Sequence, residues 1–373
     1  MFRSQLAQFF PPKPTFTEAN VPPQDGKVFI VTGGASGIGL ELSKMLYQKG
    51  GRVYIAGRSE EDAQRAIQTI QAAVPSPSAS AALIFLHLDL SDLTTIKTAV
   101  AAFQSQESTL HVLFNNAGVS QPPLGSLSKQ RIELQLATNC LGPFLLTQLL
   151  LPLLEATAAT TTQTPTTVRV IWTASQMIEL AAPRGIVLPT PELRTPPADT
   201  ARCYTNSKTG NYLLAAELAR QQQERVTTTT ATPTPTGSNA AGVVGAVPVL
   251  SIATNPGAAS TALFRHTPWT GYLAWPLLHA ARLAALTQLY AGLAGEVAEA
   301  AAVGTAGAAA GEVAGAGAGG QGKGFCYVVP WGRVATVVRQ DLVDAGRLVG
   351  DGGGSGKARE FWEFCEEVTG EYR

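Results

Sequence analysis

Val28-Phe29-Ile30-Val31-Thr32-Gly33-Gly34-Ala35-Ser36-Gly37-Ile38-Gly39 reads as a short apolar strand that runs into a glycine-rich turn and then into a helix. Glycines let a backbone turn sharply and approach a pyrophosphate closely, and the free N–H groups and dipole of a helix start favour negative charge. The same letters could make an ordinary strand-to-helix turn. Their position after the first strand of a βαβ unit points instead to a bound nucleotide. Beyond the turn, Ile38, Leu42, Met45 and Leu46 recur at helical spacing until Gly50 and Gly51 end the pattern.

Working outward, β-rich apolar runs at 28–32, 52–56, 83–88, 110–114, 168–173 and 249–254 alternate with helical patterns, and 325–331 resumes the apolar patterning. This alternation predicts βαβ units and a parallel sheet. Ser59, with Asp62 three residues on, opens a helix in the manner of a capping box. Three tracts fall outside the rhythm: 157–167 and 227–245, rich in Thr, Ala, Gly and Pro, and 298–322, almost entirely Ala and Gly. With little apolar bulk they are expected to be mobile surface insertions that do not divide the domain. Loop closure makes them cheap, at roughly 0.6 kcal/mol per doubling of length. The stretch before 25 is broken by Pro11 and Pro12, too short for a signal-peptide core, and reads as a loose arm (1–24) before one domain (25–373).

Composition narrows the function. The 373 residues are 45% apolar and carry 27 basic and 27 acidic side chains, so a large core is available and no net field is. Binding to nucleic acid through bulk charge is excluded on that ground. The four cysteines, Cys140, Cys203, Cys326 and Cys365, form no CxxC pair, which argues against a zinc site or disulfide framework and for a reducing compartment, the cytoplasm. Apolar segments at 141–154 and 269–289 are both interrupted by proline, short of the roughly 18 unbroken apolar residues of a spanning helix. The first is expected to be a buried helix. The second, with Arg282 among aromatics, could lie on a membrane surface or roof an apolar pocket.

Thr32-Gly33-xxx-Gly37-x-Gly39 matches the TGxxxGxG pattern of the short-chain dehydrogenases/reductases, and Asn115-Asn116-Ala117-Gly118 resembles that family's NNAG turn. Further matches follow in the right order: Asp89, Asn139, Ser175, Tyr204-xxx-Lys208, Pro256-Gly257 and Thr261. The resemblance spans roughly 25–265, and the pieces around Thr287–Gly292 and Tyr327–Arg333 resemble fungal members akin to retinol dehydrogenases. It implies an α/β fold: a single Rossmann-type domain whose doubly wound parallel sheet has helices on both faces. It also implies a cofactor site made of Thr32, Gly33, Ser36, Gly37, Ile38 and Gly39, with Asp89 on the adenine. Asn116, Ala117, Gly118, Pro256, Gly257 and Thr261 complete it.

An NAD-binding strand commonly ends in an acid that takes the ribose 2′-hydroxyl. Here the second strand ends Ile55-Ala56-Gly57-Arg58, so Gly57 stands in the acid's place and Arg58 can fork onto a 2′-phosphate, which favours NADP. Glu60, Glu61 and Asp62 follow in the first turn of the next helix, where they stabilise its N-terminus. Tyr204 and Lys208, four apart, share one helix face. Poising a phenol near pH 7 needs about 4 kcal/mol, and a cation about 4 Å away in an effective dielectric near 20 supplies an attraction of that size, so Lys208, helped by the positive nicotinamide of the oxidised cofactor, is sufficient in magnitude. By resemblance Ser175 binds the substrate oxygen, Asn139 holds the helix and a water that relay protons, and Lys208 also binds the nicotinamide ribose. The interval of 29 residues between Ser175 and Tyr204 is longer than in compact members of the family, and its proline-rich part, 179–201, is expected to wall the mouth of the site. Together these readings describe an NADP-dependent oxidoreductase interconverting an alcohol and a carbonyl on a small lipophilic substrate. A catalytically silent NADP(H)-binding module, acting as sensor or partner, is the second reading, and a homo-oligomer is left open.

Overall fold

All five residues of β1 (Val28–Thr32) are buried, so this strand has cover on both faces. Its alternating side chains separate two cores. Val28 and Ile30 join one cluster, while Phe29 and Val31 join another on the opposite face. Such strands belong to the interior of a parallel sheet, because the crossover helices lie on both sides. The computed structural model describes residues 7–75, 77–161, 168–180, 198–231, 247–266, 278–303, 325–351 and 353–373.

From β1 the chain runs through α1 (Gly37–Gln48), β2 (Arg52–Gly57), α2 (Glu60–Ala73), β3 (Ala82–His87), α3 (Leu93–Gln104) and β4 (Val112–Asn115). Next come α4 (Leu134–Thr160), β5 (Arg169–Thr173), α5 (Thr200–Ala231) and β6 (Leu250–Thr254). A short parallel pair, β7 (Ala259–Ser260) and β8 (His279–Ala280), leads into α6 (Ala281–Leu293) and α7 (Gly295–Val303). The chain closes with β9 (Phe325–Val329), β10 (Arg333–Val334), α8 (Gln340–Ala345) and α9 (Lys357–Thr369). The eight-stranded sheet has the order β10-β9-β6-β5-β4-β1-β2-β3. All neighbours are parallel except the edge pair β9–β10, where a two-residue strand returns antiparallel. Helices α1, α6 and α7 cover one face; α3, α4, α5 and α9 cover the other. This is the doubly wound α/β fold expected from the strand–helix alternation.

Several expectations need correction. The described part of the arm, residues 7–24, is not loose: Gln8 and Val21 are buried, Thr17 caps a 3₁₀ turn in a capping box, and Glu18 pairs with Arg282. Each low-complexity tract begins as helix, buried at the start of 157–167 and 298–322 and exposed at Thr227 and Thr228. Thr157, inside α4, is buried and its hydroxyl donates to Leu153 O and accepts from Leu110 N. Ala298 and Ala301 of α7 sit in the core, and α5 continues through Ala231. Alanine fits where a helix approaches a sheet closely, so small side chains there signal packing. The remaining parts, 162–167, 232–246 and 304–322, lie outside the described residues, as do 181–197 of the expected wall and 269–277. Helix α4 is long and apolar enough to cross a membrane by composition, but it is the core helix of the second face. From Ala284 onward α6 is likewise buried, against α1.

His111 joins the amino ends of three strands. Its Nδ1 accepts from Val28 N at 3.1 Å, its N–H donates to Val28 O, and its carbonyl accepts from Arg169 N. Burial and nearby Lys27 hold its pKa down at about 4. Because the unfolded imidazole titrates near 6.5, the unfolded chain binds the extra proton between pH 6.5 and 4. Stability therefore falls as pH drops through that window, by at most about 3 kcal/mol. His111→Asn should flatten this dependence, checked by urea unfolding at pH 7 and pH 4.5. An equal loss in both proteins refutes the assignment.

Candidate active site

The cleft opens where strand order reverses, between the carboxyl ends of β1 and β4, the place where open α/β sheets bind ligands. Thr32 builds its floor. Its hydroxyl donates to Phe114 O at 3.1 Å and accepts from the N–H groups of Asn116 and Ala117, each at 3.0 Å. Asn116 Nδ2 donates back to Thr32 O at 2.9 Å. The glycine turn is thereby tied to the Asn-Asn-Ala-Gly turn. Gly33 is left-handed (φ +66°), and a Cβ on Gly39 would collide with the Gly33 carbonyl, so only glycine closes this turn. Ser36 precedes α1 with extended backbone and its hydroxyl makes no capping bond.

The cleft has a volume of about 580 Å³. Thr32, Gly33, Ser36, Gly37, Ile38, Arg58, Asp89, Asn116, Ala117 and Gly118 line it, as do Ser175, Tyr204, Lys208, Pro256, Gly257 and Thr261. Of the residues singled out in the sequence, Gly39 and Asn139 stand behind its wall. These residues fit a dinucleotide: glycines bring backbone N–H groups to a helix start, and a Cβ at Gly57 would have open space around it, leaving room beside Arg58. Asp89 Oδ1 accepts from the backbone N–H and hydroxyl of Ser91, so the carboxylate shapes its turn while bordering the cleft. Thr261 lies against Gly37.

Helix α5 brings up the remaining groups. Asp199 starts it by accepting from the N–H groups of Ala201 and Arg202. Tyr204 and Lys208 follow, both buried, with Lys208 Nζ 5.8 Å from the Tyr204 ring centre. Lys208 donates to Thr173 O at 3.0 Å. Ser175 lines the cleft together with Tyr204, and its Oγ accepts from Met177 N at 3.2 Å. Burial pushes Tyr204 up to about 12, which the nearby Ser175 side chain only partly offsets, and pulls Lys208 down to about 8. The expected depression of Tyr204 is thus reversed in the protein's own field. Desolvating the phenolate costs more than the neighbouring groups return.

Asn139 locks this arrangement from behind. It sits in a π-helical turn, Ala137–Leu141, that interrupts α4. Its Oδ1 accepts from Val119 N at 2.8 Å, and its Nδ2 donates to Val119 O at 3.0 Å and to Ser207 Oγ at 2.9 Å. The widened turn aims one amide at both the loop after β4 and the helix carrying Tyr204, a common use of π bulges.

A match to the family described as short chain dehydrogenase covers residues 27–184. A short-chain dehydrogenase/reductase of Pestalotiopsis fici is 39% identical over 363 residues, covering 96% of this chain and 95% of the relative. The chain belongs to the short-chain dehydrogenase/reductase family. A second member, from Phomopsis amygdali, is 38% identical over 99% of this chain and 97% of its own length. Two solved structures share the fold: an uncharacterized protein of Mycobacterium paratuberculosis (TM-score 0.59, 23% identity, 95% of this chain and 97% of that one), and a 3-ketoacyl-(acyl-carrier-protein) reductase of Brucella melitensis complexed with NADH (TM-score 0.52, 18% identity, 74% and 93%). This dehydrogenase/reductase is accordingly an oxidoreductase that binds a nicotinamide cofactor.

Sequence reading missed several groups in the site. Val119, Leu134 and Met177 line the cleft, and two of them adjoin motifs already recognised, which is signal enough to find them. Phe9 also lines it, although nothing in its neighbourhood marks it. Gln288 had no assigned role: it is buried, donates to Thr173 Oγ1 at 2.8 Å and accepts from Thr254 Oγ1 at 3.2 Å, clamping the strand ends beneath Lys208.

Asn139→Ala should strand the backbone N–H and C=O of Val119 in the interior and remove the bond that Ser207 Oγ accepts, leaving Ser207 only its bond to Tyr204 O. The expected loss is about 2–3 kcal/mol in urea unfolding. A loss below about 0.5 kcal/mol would mean that the amide does not hold the loop and helix together.

Proposed function

We propose that this dehydrogenase/reductase uses NADP to interconvert an alcohol and a carbonyl on a small lipophilic substrate, with Tyr204 as the proton-transfer residue. The carrying observation is the gathering of Ser175, Tyr204 and Lys208 on one cleft continuous with the glycine turn. When bound, the reduced nicotinamide supplies a hydride to the carbonyl carbon. The chain's own groups do the rest. Ser175 holds the substrate oxygen beside the phenol, and Tyr204 donates its proton to that oxygen as general acid. A phenol held at about 12 keeps its proton near neutral pH, so burial favours the form that reduction requires. Val119, Leu134, Met177 and Leu263 give the cleft an apolar lining, which supports a lipophilic substrate.

Support for NADP comes from Arg58 at the cleft edge and from the pairing of two of the three acids that follow it. Ser59 Oγ caps α2 by accepting from Asp62 N, and Glu61 and Asp62 both pair with Arg65. Charge-assisted contact with a 2′-phosphate contributes about 1.5–3 kcal/mol. Arg58→Ala should therefore weaken NADPH binding by roughly 10- to 100-fold while leaving NADH within about twofold, measured by fluorescence titration. Equal wild-type affinities for the two cofactors remove the basis for this preference.

Tyr204→Phe keeps the ring and should leave folding and NADPH affinity intact. Carbonyl reduction should drop by about 10²–10⁴-fold. Retention of more than about a tenth of the wild-type rate on any reducible aldehyde or ketone excludes Tyr204 as the general acid.

A further inference from the structure

The arm at residues 7–10 is fastened to the site by three groups far away in sequence. Gln8 Oε1 accepts from Asn255 Nδ2 at 2.8 Å, and both residues are buried. The Ala7 carbonyl accepts from an Arg333 NH2 group at 2.9 Å. The Phe9 carbonyl lies 2.9 Å from His279 Nε2, and the His279 ring packs edge-on against Trp331 with centroids 4.8 Å apart. Phe9 itself borders the cleft, whereas Phe10 is 61% exposed.

These fastenings show which end of the cleft the arm occupies. Thr254 is the register partner of Thr173, whose carbonyl takes Lys208. Asn255 is the next residue, so Gln8 is bonded one step beyond the rung that holds Lys208. Asn255 Oδ1 also accepts from Gly257 N at 2.9 Å, so the same side chain shapes the Pro256-Gly257 turn. The nucleotide end lies further along this loop, where Thr261 touches Gly37.

We infer that the N-terminal arm is part of the active site, with Phe9 as a specificity-determining residue that walls the reacting end and packs against the apolar portion of the substrate. The inference rests on the oxidoreductase reading of the cleft. Burying a phenyl ring against an apolar ligand is worth about a tenfold or greater change in binding. Propanal is too small to reach such a wall, while 2-naphthaldehyde offers it a flat apolar face.

Two measurements on the full chain test this. First, all four native cysteines are buried, so Phe9→Cys and Phe10→Cys each introduce a selectively reactive thiol. Saturating NADPH should slow maleimide labelling at least about fivefold at position 9 and leave position 10 unchanged. Second, Phe9→Ala should raise KM for 2-naphthaldehyde about tenfold, with kcat and the propanal KM within about twofold and NADPH affinity unchanged. Unprotected labelling at position 9, an unchanged naphthaldehyde KM, or a loss of NADPH affinity in place of the KM effect each overturns the inference. If wild type binds NADPH but reduces neither aldehyde, the proposed activity fails on these substrates and the labelling result alone decides the placement of Phe9. If NADPH does not bind, the cofactor reading fails and Phe9 has no reacting end to wall.

Discussion

The hydroxyl of Thr32 fixes the distance between the two turns on which the cleft depends. With one donated and two accepted hydrogen bonds it is fully used, and every partner belongs to the end of β4 or the turn beyond it. Because β1 and β4 meet where the sheet changes winding direction, this junction has no crossover helix above it. Side-chain bonds must hold what a helix cannot. Asn116 completes the junction from the other side, and the glycine turn can then pack so tightly that a Cβ on Gly33 would touch Ala117 at 3.1 Å.

The buried pair on α5 shows the cost of the same compactness. Tyr204 and Lys208 are shifted in opposite directions by one cause, because burial disfavours phenolate and ammonium alike. Lys208 is steadied by the Thr173 carbonyl, and Gln288 steadies Thr173 in turn. A Cβ on Gly118 would stand 3.2 Å from both Lys208 Nζ and Asn139 Oδ1, so the loop after β4 presses directly on these two groups. The π turn at Asn139 is an irregularity in an apolar core helix, and it serves to place one amide where the Val119 N–H and C=O take their partner while Ser207 Oγ is tied in as well.

Much of this was legible in the sequence because it is local. Period-two and period-3.6 patterns mark the strands and helices, and Gly33, Gly37 and Gly39 follow from what one turn demands of its backbone. Tyr204 and Lys208 share a helix face by spacing alone. What stayed hidden depends on distant partners. Gln8 looks like any polar residue until the fold brings Asn255 to it across 247 positions, and Ala7 meets Arg333 across 326. Thr157 belongs to a stretch whose composition suggests a linker, yet its hydroxyl satisfies Leu110 N. The upward shift of Tyr204 in the protein's own field is hidden for a related reason: pair spacing shows a neighbouring charge but not how deeply both groups are buried.

The tracts of biased composition enter the fold at one edge. The described chain leaves α4 at Thr161 and returns at Val168, one residue before β5; it leaves α5 at Ala231 and returns just ahead of β6; it leaves α7 at Val303 and returns at Phe325, the first residue of β9. In each case the junction is at the amino end of a parallel strand, across the sheet from the cleft. Segments 181–197 and 267–277, by contrast, are bounded by residues beyond the carboxyl ends of β5 and β6, where Ser175, Pro256 and Thr261 stand. Parallel strands give a sheet one chemically active edge, so added length at the opposite edge need not disturb it, and loop closure penalises that length only weakly. The same polarity gives the arm its importance. By crossing to the carboxyl edge through Asn255, His279 and Arg333, it puts Phe9, one of the earliest described residues of the chain, on the border of the cleft.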